Sequence, residues 1–298
     1  FFFKQKTAYE IYQCDWSSDV CSSDLRDRWG IKPLYYAHVG DTLVFGSEVK
    51  SFLHVPGFRV NLDLEAATEY LTFQNVLGDR TLFDGVRTLP AGSMMVVEGD
   101  RGPRVTRWWQ PRFEATEDRG EAWYRAGVRE LFEEAVRRQL MGDVPVGSYL
   151  SGGMDSGSIT AVAARQIPHL HTFTGGFPVS GLSGSEALAD ERAVAEFMAR
   201  TMGTEHYTVV VQSHDLPRLL PELVWHLEDL RVASSYHNYA VARLASRFVK
   251  VVLAGAGGDE IFAGYPWRYA HAAGTTSLDD FASRYADYWS ILVQIGRA

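Results

Sequence analysis

The residues best placed to do chemistry are Ser151-Gly152-Gly153-Met154-Asp155-Ser156. Residues 144–150 before them read as a short buried strand, and residues 159–165 after them begin a helix with Asp155 or Ser156 as its cap. Strand, glycine turn and helix N-terminus form an anion-binding geometry, because free backbone N–H groups converge there and the helix dipole favours negative charge. Glycine lets a phosphate approach the backbone, and the hydroxyls of Ser151, Ser156 and Ser158 add donors. No Gly-Lys-Ser/Thr follows, so this is not the common phosphate loop. With no lysine in the turn, a bound phosphate needs its charge offset by N–H groups and by a metal ion on Asp155. A second glycine-bearing stretch, Ala254-Gly255-Ala256-Gly257-Gly258-Asp259-Glu260-Ile261-Phe262-Ala263-Gly264-Tyr265, carries an acidic pair at the start of a helix. Asp259 can hold Mg²⁺ opposite Asp155, since such a hard cation takes one or two carboxylates plus phosphate oxygens. The alternative is that Asp259 and Glu260 simply cap that helix.

For these loops to meet, the elements around them must form a parallel sheet. After the first loop, strands are expected at residues 171–174, 205–211 and 249–253, and helices at 190–202, 216–226 and 236–247. Such alternation predicts a mostly parallel sheet with helices on both faces and ligands beyond the carboxyl ends of its strands. Three glycine-bearing loops fall at those ends, after Leu150, Thr174 and Leu253. Residues 121–140 form a further helix, with Trp123, Val128, Leu131, Phe132, Val136 and Leu140 at helical spacing and Arg and Glu as its solvated face. Upstream, residues 34–37 and 43–46 flank Val39-Gly40-Asp41 as a hairpin. Residues 47–53 and 62–71 suit short helices, the second capped by Asn61 or Asp63, and 94–98 a strand. Residues 108–120, with Pro111, are polar and irregular and read as a linker.

The Ser-Gly-Gly-Met-Asp-Ser stretch resembles the pyrophosphate loop of the N-type ATP pyrophosphatases, which cleave ATP between the α and β phosphates and leave AMP on a carboxylate or carbonyl. Three upstream words, Arg26-Asp27-Arg28-Trp29-Gly30-Ile31-Lys32-Pro33-Leu34-Tyr35-Tyr36, Phe45-Gly46-Ser47-Glu48-Val49-Lys50 and Leu89-Pro90-Ala91-Gly92, look like the closing third of a glutaminase domain. Together these words resemble glutamine-dependent asparagine synthetase from Arg26 to near the end of the chain. The fold this implies is α/β. A Rossmann-like parallel-sheet domain of the adenine nucleotide alpha hydrolase type covers 121–298. It follows the C-terminal part of a β-rich N-terminal-nucleophile hydrolase domain, a type 2 glutamine amidotransferase, over 26–110, with 111–120 as linker. Residues 1–25 resemble translated adapter read-through and are set apart.

By the same resemblance, Leu150, Gly175, Ala254 and Gly255 surround the adenosine of ATP. Ser151, Gly152, Gly153, Asp155 and Ser156 hold pyrophosphate, and Asp155 and Asp259 hold Mg²⁺. Asp190, Glu191, Glu228 and Asp229 stand where the family places acids near its amino-acid substrate, although capping explains them equally well. The implied reaction turns aspartate into asparagine through β-aspartyl-AMP and glutamine-derived ammonia, releasing AMP and pyrophosphate, in a cytoplasmic enzyme for which a homodimer is allowed. The chain departs from the family in three ways. The catalytic N-terminal Cys and the glutamine-binding residues lie upstream of Arg26 in the family, so no glutaminase activity is expected here. Ala256 stands where many members carry an acidic residue used in adenylation. The family's synthetase domain runs well beyond Tyr265, which implies an internal fragment of a longer enzyme. Ala256 leaves open a β-lactam-synthetase-like or cyclising relative, or a nucleotide-binding protein without turnover.

At 298 residues the chain suits one large or two smaller domains, by the figure of about 100–200 residues each. Its 46% hydrophobic content supports a packed core, and a net charge of -8 argues against nucleic acid or an anionic membrane as partner. No apolar run approaches the ~20 residues of a membrane span. Both cysteines, Cys14 and Cys21, lie in the segment set apart, which removes disulfides and cysteine metal sites from the remainder.

Overall fold

The computed structural model describes residues 22–73, 75–98, 101–112, 117–178, 190–229 and 235–294; both cysteines, the segment 1–21 and linker positions 113–116 lie outside them. The chain divides into two compact units.

The first unit comprises residues 1–115, 224–231 and 282–298. It contains β1 (Ser22–Leu25), β2 (Tyr35–Val39), β3 (Thr42–Gly46), α1 (Leu64–Phe73), β4 (Val86–Thr88), β5 (Ser93–Glu98) and β6 (Arg101–Arg107). Two antiparallel sheets result, ordered β1-β5-β6 and β3-β2-β4. The expected hairpin is present: Val39 pairs with Thr42 across Gly40-Asp41, and Gly40 takes the positive φ of 60° that suits strand twist in a two-residue connection. Asp63 caps α1, its Oδ1 accepting the Ala66 N–H at 3.0 Å. The short helix expected over 47–53 is a 3₁₀ turn, Val49–His54.

Three strands of this unit, β1, β4 and β6, depart from expectation. Ser22–Leu25, part of the segment set apart, pairs with residues 94–97 of β5. Ladder bonds use only main-chain groups, so the side-chain pattern gave no warning. β6 holds Gly102 and Pro103, which argue against a central strand; it lies at a sheet edge, where proline is tolerated. Phe52, 1% exposed, anchors one cluster with Ala37, Val44, Val49 and Val86, and Leu43, Leu89, Met95 and Val97 form another.

The Arg26-Asp27 pair organises the turn before β2. Arg26 donates to the carbonyls of Lys32, Leu89 and Gly30, while the Asp27 carboxylate accepts the N–H groups of Trp29, Ile31 and Lys32 at 2.9–3.1 Å. Burial pushes the Asp27 carboxyl up, but the three N–H groups and Arg26 outweigh it and hold it below the usual range.

The second unit comprises residues 116–223 and 232–281. In chain order the remaining elements are α2 (Glu121–Gln139), β7 (Val146–Tyr149), α3 (Met154–Ala164), β8 (His171–Gly176), α4 (Arg192–Met202), β9 (Glu205–Val210), α5 (Leu216–Leu227), α6 (Ser235–Ala245), β10 (Val251–Leu253), α7 (Gly258–Phe262), α8 (Pro266–Tyr269) and α9 (Leu278–Gln294). The last turn of α5 belongs to the first unit, as does α9 from residue 282. The four strands are all parallel, in the order β10-β7-β8-β9. The architecture is therefore mixed α/β with a parallel sheet, as the alternation predicts. Successive strand residues face opposite sides. A Cβ at Gly175 would fall 2.6 Å from Val241 Cγ2 of α6, and one at Gly176 would run into the Arg192 side chain of α4, with Cγ at 2.8 Å, so α4 and α6 cover opposite faces.

On α2 only Val136 is buried, and Trp123, Val128 and Leu131 are exposed. β10 starts at Val251 rather than 249, because the Val249 N–H is used by the Ala245 carbonyl at the end of α6. Phe173, on an interior strand and 1% exposed, packs on Val241, Ala245 and Val249. Phe173→Ala should cost about 3–5 kcal/mol, read as a lower urea midpoint.

A half-buried imidazole gives this unit a pH dependence. His206 on β9 shares a hydrogen bond with Thr172 Oγ1 at 3.0 Å through Nδ1, while its buried Nε2 has no partner. Burial lowers its pKa, with the charge of Glu196 opposing. The fold thus favours neutral His206, and that stability is lost as pH falls from the unfolded value of about 6.5 toward the folded one. Between pH 7.5 and 5.5 the urea midpoint should drop, and His206→Gln should reduce that drop.

Candidate functional site

β7 places Leu150, which is fully buried, at the mouth of the first loop. Its N–H donates to the Phe173 carbonyl at 2.9 Å, and its own carbonyl accepts the Thr174 hydroxyl. The carboxyl ends of β7 and β8 are thereby stitched together beside the loop, bringing Gly175 next to it. Within the loop, the Ser151 N–H donates to Ser156 Oγ at 3.0 Å, the two hydroxyls meet at 2.8 Å, and the Gly153 N–H donates to Ser151 Oγ at 3.1 Å. The two serines thus hold the turn's shape.

α3 starts at Met154, five residues before the expected Ile159, so neither Asp155 nor Ser156 is its cap. Gly153 takes that position in extended geometry (φ −78°, ψ 156°), with no side-chain cap bond. With no side chain on the cap residue to accept them, the first-turn N–H groups of α3 are left to an outside anion. Ser148 and Thr160 share a buried hydrogen bond at 3.0 Å that ties β7 to α3 behind the loop.

The loop after β10 lies directly on this turn. A Cβ at Gly255 would fall 2.9 Å from the Ser156 nitrogen and 3.0 Å from Asp155 Cβ, and one at Gly258 would fall 2.5 Å from Asp155 Cγ. Glycine at 255 and 258 therefore lets the second loop's backbone reach the Asp155 carboxylate. Asp259 follows in the first turn of α7, with its carboxylate against Gly264, where a Cβ would fall 2.6 Å from Cγ. Glu260 takes the capping role, accepting the Gly257 N–H at 3.0 Å and the Tyr265 hydroxyl at 2.9 Å. The two readings of the acidic pair thus separate: Glu260 caps, and Asp259 does not. Ala254 and Gly255 lead from β10 to this turn, with Ala256 between the glycines.

The four acids expected near an amino-acid substrate part company. Asp190 is taken by Arg192, whose Nε and Nη2 reach its oxygens at 2.6–3.0 Å. Those bonds outweigh burial and hold the Asp190 carboxyl below its usual range. Arg192 also bonds the Phe177 carbonyl at 2.8 Å and crosses Gly176. Glu191 lies on the first loop, its Oε2 accepting the Gly152 N–H at 3.3 Å.

Glu228 has main-chain partners of its own. It belongs to the first unit, where its carboxylate accepts the Val49 N–H at 2.8 Å and the Lys50 N–H, with Lys50 Nζ at 3.9 Å. It sits at φ 52°, just beyond the end of α5. Half-buried Asp229 follows it. No spacing rule could have flagged a contact between positions 178 and 179 residues apart.

The donors fit the groups that the loops suggest. Asp155 and Asp259 offer hard oxygens suited to Mg²⁺, which keeps waters and phosphate oxygens as its other ligands. Among the described residues no cluster of three or more His, Cys, Asp or Glu is preformed for a metal.

The asparagine synthase family model matches residues 127–293, more than half of the chain, spanning both loops. The chain belongs to the asparagine synthase family. A glutamine amidotransferase domain model matches residues 16–109, starting ten residues before Arg26. Among curated relatives, asparagine synthetase (glutamine-hydrolysing) 1 of Bacillus subtilis is 35% identical over 241 residues, which is 80% of this chain and 37% of that protein. Asparagine synthetase (glutamine-hydrolysing) 3 of the same organism is 32% identical, covering 81% and 41%. Amidase chyE of Penicillium rubens is 32% identical, covering 80% and 37%. This asparagine synthase family chain thus spans little more than a third of the length of the first two named synthetases. Among its described residues no helix is long and apolar enough to cross a membrane.

Proposed function

We infer that this chain carries the ATP-using part of an asparagine-synthetase-type amide-forming enzyme, a carbon–nitrogen ligase. The supporting observation is the fit between the loops, with the backbone at Gly255 and Gly258 drawn onto Asp155 and Ser156. On this reading the parallel sheet is Rossmann-like, of the adenine nucleotide alpha hydrolase type, and the β-rich unit is the later part of an N-terminal-nucleophile amidotransferase.

Serine-braced N–H groups and the open first turn of α3 bind the β and γ phosphates of ATP. Leu150, Gly175, Ala254 and Gly255 border its adenosine. Asp155 and Asp259 hold Mg²⁺, which supplies positive charge against the phosphates. An oxygen of the aspartate side-chain carboxylate attacks the α phosphorus, the bond to the bridging oxygen breaks, and pyrophosphate leaves with the electron pair. Ammonia derived from glutamine then attacks the acyl carbon and AMP leaves. The N–H groups of the loop stabilise the charge growing on pyrophosphate, as preformed donors do at low cost in reorganisation.

Ala256 favours a second reading, in which the acceptor is not aspartate. Product analysis separates the two. Aspartate- and ammonia-dependent formation of AMP from ATP supports the first reading. AMP formed only with another carboxylate, or ADP in place of AMP, overturns it.

A further inference from the structure

The N–H groups of the first loop are occupied in an uneven way. Ser151 and Gly153 donate to serine hydroxyls, which are neutral. Gly152 instead donates to a full negative charge, Glu191 Oε2, at 3.3 Å. Glu191 is the N-cap residue of α4, yet its side chain makes no cap bond there. It is pressed onto the loop: a Cβ at Gly152 would fall 3.1 Å from the Cβ atoms of both Glu191 and Val194. The neighbouring acid cannot take its place, because both Asp190 oxygens are held by Arg192.

We propose that Glu191 is an internal anion that takes the Gly152 N–H of the loop and sets nucleotide affinity by competing with a phosphate oxygen for it. This rests on reading the loop as a pyrophosphate site. One N–H cannot serve a carboxylate and a phosphate together, and two anions a few ångströms apart repel. At 3.3 Å the bond is long beside the ~2.7–2.9 Å of strong charge-assisted ones, which suits an occupant that leaves. Its removal favours the polyphosphate portion of a ligand and is neutral toward an uncharged nucleoside.

The test titrates the full chain calorimetrically with pyrophosphate, ATP and adenosine, each with Mg²⁺, in three forms: wild type, Glu191→Gln and Glu191→Ala. Glu191 is exposed, so thermal midpoints should match. Expected are pyrophosphate and ATP binding tightened about tenfold by Glu191→Ala, the worth of a hydrogen bond to a charged group, a smaller gain for Gln, and unchanged adenosine binding. Unchanged or weaker pyrophosphate and ATP binding in both variants, with wild type still binding ATP, overturns this proposal alone. So does an equal gain for adenosine, which marks a structural effect. Failure of all three forms to bind any of the ligands overturns the pyrophosphate-loop reading and this proposal together.

Discussion

Asp155→Ala should remove Mg²⁺-dependent ATP turnover while leaving the fold intact. Asp155 lies in the first turn of α3 and is partly exposed, so its loss opens no cavity. Its carboxylate faces the backbone of Gly258, where an adjoining side chain would have collided with it. On the proposed reading, in a loop without lysine, Asp155 with Asp259 would bring metal charge to the phosphates. Losing one such electrostatic element typically costs about 10²–10³ in rate. The prediction is a fall of that size in ATP–pyrophosphate exchange, with an unchanged thermal midpoint. A comparable fall in midpoint would make Asp155 a structural residue.

The second large effect is expected at a residue with no chemistry of its own. Gly258→Ala puts a methyl group 2.5 Å from Asp155 Cγ, and closer still to its Oδ2. The backbone of Gly258 is not in the positive-φ region, so alanine meets no conformational penalty there. Gly258 is the first residue of α7, so alanine gains less there than the ~1 kcal/mol over glycine of a helix interior. The clash is with the end of a side chain, which can swing away. Stability should therefore hold or rise slightly while the carboxylate is displaced. Misplacing a catalytic group by about 1 Å can cost 10²-fold, so exchange should fall nearly as far as in Asp155→Ala. Gly127→Ala on α2, where a Cβ meets nothing within 4 Å, should leave exchange unchanged.

Much of this was legible in the chain itself. The alternation after residue 144 predicts a parallel sheet because helical and strand periods differ, and β7 to β10 follow that order. The Ser-Gly-Gly-Met-Asp-Ser word predicts a strand–turn–helix corner because few residues fit so tight a turn. The helix start was misplaced because a side-chain cap was expected where Gly153 serves by backbone geometry alone. β6 was missed because glycine and proline disguise an edge strand, and β1 because its pairing is carried by main-chain groups.

The acids were the hardest to read. Asp190 and Glu191 are adjacent, yet one pairs with Arg192, the first residue of α4, and the other reaches a loop 39 residues back. Glu228 ends on Val49 and Lys50. Sequence distance carries no record of such contacts. Only packing decides them.

The most direct measurement is ATP–pyrophosphate exchange with Mg²⁺ and aspartate, with ammonia left out. Pyrophosphate can re-enter ATP only if the α–β bond is cleaved reversibly and AMP stays on the acceptor. The account predicts exchange that requires both Mg²⁺ and aspartate. Tight ATP binding with no exchange under any carboxylate would contradict it, and would leave the two loops as a nucleotide site without adenylation.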